Sequence, residues 1–124
     1  MDSLRMVLRL NASSCILFGL LFLFFGDSVN QFIGNQIDWL MPIVGGVLVI
    51  NGLHLLIASL RKKPICPEIL YFVLGDFAWV IGTIVLVALG VVVTSGMGVA
   101  AALGVAVMVG AFGVWQVMGY RKSC

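Results

Sequence analysis

Four long apolar runs separated by short polar segments set the plan of this chain. They occupy 10–25, 39–60, 69–93 and 97–118. With their flanking turns they predict helical spans over about 8–26, 39–60, 67–93 and 96–119, each near the ~20 residues that cross a bilayer's hydrocarbon core. Interruptions are few: Asn11 and an Ala-Ser-Ser-Cys string in the first run, and Asp76 in the third. Pro42 lies near the start of the second, where a first-turn proline is tolerated.

The link between the first two runs is polar but patterned. Val29, Phe32, Ile33, Ile37 and Leu40 recur at helical spacing, and Ser28 with Gln31 resembles a capping box. This predicts a short helix over 28–37 lying in the outer interface, with an ordinary loop as the alternative.

Composition decides what solvent surrounds these helices. The chain has 124 residues, 62% of them hydrophobic and 10% charged, with a mean hydropathy of +1.20; a soluble domain carries about 25% charged residues. So short a chain cannot hide this much apolar surface in its own core, so the medium around most of it is lipid. The expected fold is an all-α, up-down-up-down four-helix membrane bundle forming a single domain.

Charge sets the orientation. Arg5 and Arg9 precede the first span, Arg61, Lys62 and Lys63 follow the second, and Arg121 and Lys122 follow the fourth. All seven basic residues therefore fall on one side of an up-down-up-down chain, while the other side carries Asp27 and Asp38. The positive-inside rule places both termini in the cytoplasm, which suits the inner (plasma) membrane of a bacterium. Tyr71, Trp115 and Tyr120 near the inner boundary and Trp39 near the outer one fit an interfacial aromatic belt. Gly26-Asp27-Ser28 is a poor cleavage site for a signal peptide, and the apolar run follows Cys15 instead of preceding it, which excludes a lipoprotein signal. The two halves share a faint plan, each ending in a basic pair, with little residue identity behind it. A net charge of +2 leaves no electrostatic footprint for nucleic acid.

Polar residues inside a membrane are costly and are the first candidates for function. Asn11, Asn51, His54, Asp76 and Gln116, with Glu68 at the start of the third span, gather in the inner half; Thr83 lies farther out. His54 falls roughly 10 Å and Asn51 roughly 15 Å from Arg61 along the helix, and Asp76 roughly 12 Å beyond Glu68. Asn51 and His54 share a face, as do Glu68, Asp76 and Trp79, and as do Asn11, Cys15, Phe18 and Phe22. Pointed inward, these faces predict a polar pocket open to the cytoplasm beneath an apolar outer plug. Two readings follow. In one, Asp76 is neutral or paired with His54, and the amides clamp helices together by bonds of about 0.6–2 kcal/mol each. In the other, Asp76 and His54 form a proton-titrating or cation-binding pair.

Small residues form a second pattern. Gly98, Ala102, Ala106 and Gly110 recur every four residues on the fourth helix, and Gly75, Ala78 and Gly82 make a shorter ladder on the third. Such ladders let backbones approach closely, within the bundle or between subunits. Cys15, Cys66 and Cys124 show no metal spacing or disulfide framework, and Cys66 falls in a loop expected to face a reducing cytoplasm. His54 has no second histidine to complete a haem or copper site, so no cofactor is expected. No catalytic constellation or phosphate loop appears, so an enzyme is not expected. The sequence points to a non-enzymatic membrane protein acting as an oligomeric scaffold or as a subunit of a larger membrane complex. The alternative is a small proton- or cation-coupled pathway.

Overall fold

The computed structural model describes residues 2–35, 37, 39–63, 65–90 and 92–123. It is 87% helical with no strands among the described residues. The helices are α1 (Asp2–Phe24), α2 (Gly26–Ile33), α3 (Leu40–Ser59), α4 (Cys66–Leu89) and α5 (Gly96–Ser123). All but α2 are long and apolar enough to span a membrane.

Glycine fixes two boundaries that differ from the expected ones. α4 stops at Leu89, short of 93, because Gly90 adopts φ +64 and donates its N–H to the carbonyls of Leu86 and Val87. Val92 and Val93 then turn inward and are buried. α2 lies earlier than 28–37: Gly34 ends it in the left-handed region, at φ +80. Phe25 holds its N-cap position without a side-chain cap, so the Ser28–Gln31 capping box does not form. At the other end of the chain, α1 already begins at Asp2, which carries Arg5 and Arg9 on its first turns.

α1 packs most extensively on α3 and α4 on α5, while α1 also touches α5 and so joins the pairs. The α1–α3 contact is backbone on backbone. A Cβ on Gly19 would lie 2.8 Å from Gly45 O, one on Gly45 would lie 2.7 Å from Gly19 O, and one on Gly52 would lie 3.0 Å from Ala12 O. Ala12 and Gly19 are seven residues apart, as are Gly45 and Gly52, so small residues meet at every second turn of two helices running in opposite directions. In the second pair, Gly113 receives the Phe77 ring and Gly110 lies against Val80. Leu4 of α1 fills the space over Gly119 of α5.

Packing is concentrated at one end. Leu4, Val7, Leu8, Ala12, Leu55, Ala58, Ile69 and Phe72 form the buried core, with Trp115 and Tyr120 packed against it. Those two aromatics therefore serve the core, unlike Trp39 and Tyr71, which stay exposed. Arg5 Nη2 donates to the carbonyls of Arg61 and Lys62, both at 3.2 Å, and ties the start of α1 to the α3–α4 loop. With the end of α5 beside Leu4, the basic residues collect here, at what we term the basic end.

The opposite, α2 end is latched by polar bonds. Thr94 donates its backbone N–H to Ile33 O at 2.7 Å and its hydroxyl to Gly34 O at 2.9 Å. The Ser95 hydroxyl donates to Phe32 O and accepts the Gly98 N–H, which caps α5. Asn35 Nδ2 donates to Asn30 Oδ1 at 2.8 Å and folds the chain leaving α2 back on itself. Around the bundle's outside, large aliphatic side chains such as Leu17, Ile50, Ile81 and Val107 stand free. A water-soluble monomer does not leave so much apolar surface uncovered.

Candidate functional site

Four of the six polar candidates meet in one network. Asp76 of α4 is buried and faces both neighbouring helices. Asn11 Nδ2 of α1 donates to Asp76 Oδ1 at 3.1 Å and to Oδ2 at 2.9 Å. Gln116 Nε2 of α5 donates to Asp76 Oδ2 and, at 3.1 Å, to Phe112 O on its own helix. Asn11 and Gln116 are 1% and 0% exposed, so water does not compete for these bonds. The chain of contacts runs on through sulfur: the Cys15 thiol donates to Asn11 Oδ1 and accepts from Asn51 Nδ2, each at 3.6 Å. One carboxyl group thus ties α1, α4 and α5 together, and Cys15 links them to α3. Gln116 Oε1 and Trp79 Nε1 are buried without a hydrogen-bond partner among the described residues.

The expected Asp76–His54 pair does not form. His54 Nε2 meets Glu68 Oε2 at 2.9 Å instead, and Arg61 grips the same carboxylate, Nε to Oε1 at 3.2 Å and Nη2 to Oε2 at 3.3 Å. The reason is register. His54 lies just under one turn nearer the basic end than Asn51, and this brings it beside the first turn of α4, where Glu68 sits, while Asp76 lies two turns farther on. The edge of His54 packs on Phe72, with ring centroids 4.8 Å apart, and Tyr71 lies at 5.9 Å. The His54 side chain is 42% exposed against 11% for Glu68. This second cluster closes the α3–α4 corner at the bundle's rim.

The predicted apolar plug is not solid. The polar side chains are spent on one another and on packing, whereas the apolar half is hollow. A cavity of about 580 Å³ lies toward the α2 end, lined by residues of all five helices. Phe18 and Phe22, on the same α1 stripe as Asn11 and Cys15, line it.

The two small-residue ladders separate. On α5, Gly98 meets Ile33 of α2, Gly110 lies against Val80, Ala106 is buried, and Ala102 lines the cavity. That ladder is used inside the chain. On α4, Gly75, Ala78 and Gly82 are exposed, and a Cβ at Gly75 or Gly82 would meet nothing within 4 Å, though Ala78 and Gly82 border the cavity and Gly75 does not. The glycines that hold the tightest contact, Gly19, Gly45 and Gly52, belong to no four-residue ladder; their signal in the sequence is the spacing of seven shared by Ala12 and Gly19 and by Gly45 and Gly52.

Among the described residues, no group of three His, Cys, Asp or Glu gathers to hold a metal ion. Cys66, expected as a reduced thiol, is disulfide-bonded. Comparison of the chain with protein-family models, with curated proteins and with solved structures gives no match.

Proposed function

We propose that this chain is a non-enzymatic assembly component of the inner (plasma) membrane, acting as an oligomeric scaffold or as a subunit of a larger membrane complex. The observation that carries this reading is the closure of Asp76 by Asn11 and Gln116. A carboxyl group already held by two buried amides on two other helices is suited to fixing helix positions, where each such bond contributes about 0.6–2 kcal/mol. Proton- or cation-coupled transport, the competing reading, relied on an Asp76–His54 pair, and those residues belong to separate clusters.

In this reading the four long helices cross the bilayer up-down-up-down, with the basic end in the cytoplasm. The gathering of basic residues at that end supports the orientation. The disulfide at Cys66 opposes it, since cytosolic thiols are kept reduced; seven cations on one side weigh more than one sulfur bond. Gly75 of α4, exposed and outside the cavity wall, marks the face offered to a second copy or to another membrane subunit.

Asp76→Leu tests the clamp. Reconstituted protein carrying it is expected to lose its assembled state, read as particle mass in detergent. An intact assembly that has lost proton or cation flux in vesicles would instead establish transport. Gly75→Leu tests the face: particle mass falls while helicity is kept, and an unchanged mass removes α4 as the contact.

A further inference from the structure

The α2 half of the bundle is hollow where the basic half is packed, and this asymmetry points to a ligand. The cavity of about 580 Å³ has walls from α1 (Phe22), α2 (Phe32), α3 (Val44), α4 (Leu86) and α5 (Ala102), with Trp79 on α4 also lining it. Its size lies in the range of small-ligand sites, roughly 300–1,000 Å³. Protein interiors carry few voids larger than a water molecule, and this space opens at the surface, which suits it to a ligand.

Chemistry narrows the choice. No lining side chain is charged, and the polar groups are limited to the hydroxyls of Ser28 and Thr83 and the Trp79 indole. A cavity so lined stays dry and cannot select a charged or strongly polar headgroup. The occupant is uncharged hydrocarbon, matched to an uncharged wall.

Access narrows it further. At the basic end α3 and α4 are joined by His54, Glu68 and Phe72. The backbones of these two helices make no extensive contact anywhere along their length, and Met41 and Val44 of α3 share the cavity wall with Thr83 and Leu86 of α4. With so little contact between them, α3 and α4 leave room for a lateral entry from lipid. A partner helix fits poorly: with a diameter of 10–12 Å, one turn alone takes up about 500 Å³, so the cavity holds little more than a single turn. A slender chain fits. With no charged group and only two hydroxyls and one indole N–H in the wall, the most abundant hydrocarbon at the opening is the best match.

We propose that this cavity is a lateral binding site for an acyl chain of a membrane phospholipid, entered between α3 and α4 at the α2 end. The bound chain completes the half of the core that the protein leaves unfilled.

Trp79 reports on the site directly. The protein carrying Trp39→Phe and Trp115→Phe, with Trp79 as its single tryptophan, is reconstituted into vesicles of phosphatidylcholine brominated along its acyl chains. Loss of most Trp79 emission, relative to unbrominated phosphatidylcholine, is the expected result. Ala102→Phe and Gly82→Phe, which fill the cavity, should restore that emission while helicity is unchanged. Emission that brominated chains leave untouched overturns the proposal, as does emission quenched equally in the filled variants. Quenching that appears only on adding an isoprenoid quinone, or only as protein density in the bilayer rises, overturns it in favour of a different tail or a second copy. The first arm needs no cavity-filling variant, so misfolding of those variants does not shield the proposal.

Discussion

Asn11 and Asp76 lie 65 residues apart in the chain, yet one side-chain amide of α1 donates to both oxygens of the α4 carboxyl group, at 3.1 and 2.9 Å. The two helices share no extensive packing surface, so this contact and the Gln116 bond do much to set where α4 stands. A double-mutant cycle with Asn11→Ala and Asp76→Ala, followed by unfolding in mixed micelles, should give a coupling of about 0.6–2 kcal/mol. Additive effects of the two substitutions would show that the bond does not hold the bundle.

The α1–α3 pair depends on the absence of side chains at three positions. Gly45→Val should destabilise the bundle by about 1–3 kcal/mol or more, since overpacking a closed contact forces the backbones apart. Gly46→Ala is the control: nothing lies within 4 Å of a Cβ there, and alanine favours the helix by up to about 1 kcal/mol over glycine. Thermal unfolding of both variants in the same detergent separates close approach from helix propensity. Equal losses would contradict the packing described here.

Much of this was legible in the chain before its structure, and the rest was not for identifiable reasons. The four long helices followed from the length of their apolar runs, and the polar residues that meet at Asp76 were those marked by their cost in lipid. Which polar residue met which was not legible. Depth along a helix is readable to about a turn, but His54 and Asn51 differ by less than one turn, and that difference decides whether His54 pairs with Glu68 or Asp76. The hollow α2 half was also hidden, because a run of Val, Leu and Phe reads the same whether it packs on a neighbour or borders a void. The aromatic belt divided for a similar reason: Trp115 and Tyr120 face the core and Tyr71 does not, a matter of helix rotation set by packing.

The rim cluster should matter less than the buried one. Glu68→Gln removes the negative charge shared by Arg61 and His54, but Arg61 and His54 are 38% and 42% exposed, and partly exposed pairs contribute at most about 1 kcal/mol. The expected loss is of that order and shrinks at about 1 M salt, where charges are screened beyond about 3 Å. A salt-independent loss of several kcal/mol would mean that Glu68 holds the α3–α4 corner by more than charge.

The α2 latch rests on Gly34. At φ +80 a side chain is strained, and a Cβ there would collide with the Thr94 hydroxyl that bonds Gly34 O. Gly34→Ala should cost roughly 1–2 kcal/mol from backbone strain alone and speed amide exchange at Thr94 and Ser95. Unchanged exchange there would show that the two loops are not pinned to one another.

The account as a whole depends on four helices crossing lipid with the basic end on one side and α2 on the other. The most direct test is labelling of single cysteines, Asp27→Cys and Lys62→Cys, in a chain whose native cysteines are replaced by serine, using a maleimide that cannot pass membranes. Intact cells stripped of their outer barrier should label Asp27→Cys at once and Lys62→Cys only after the membrane is permeabilised. Labelling of both positions before permeabilisation would contradict the account.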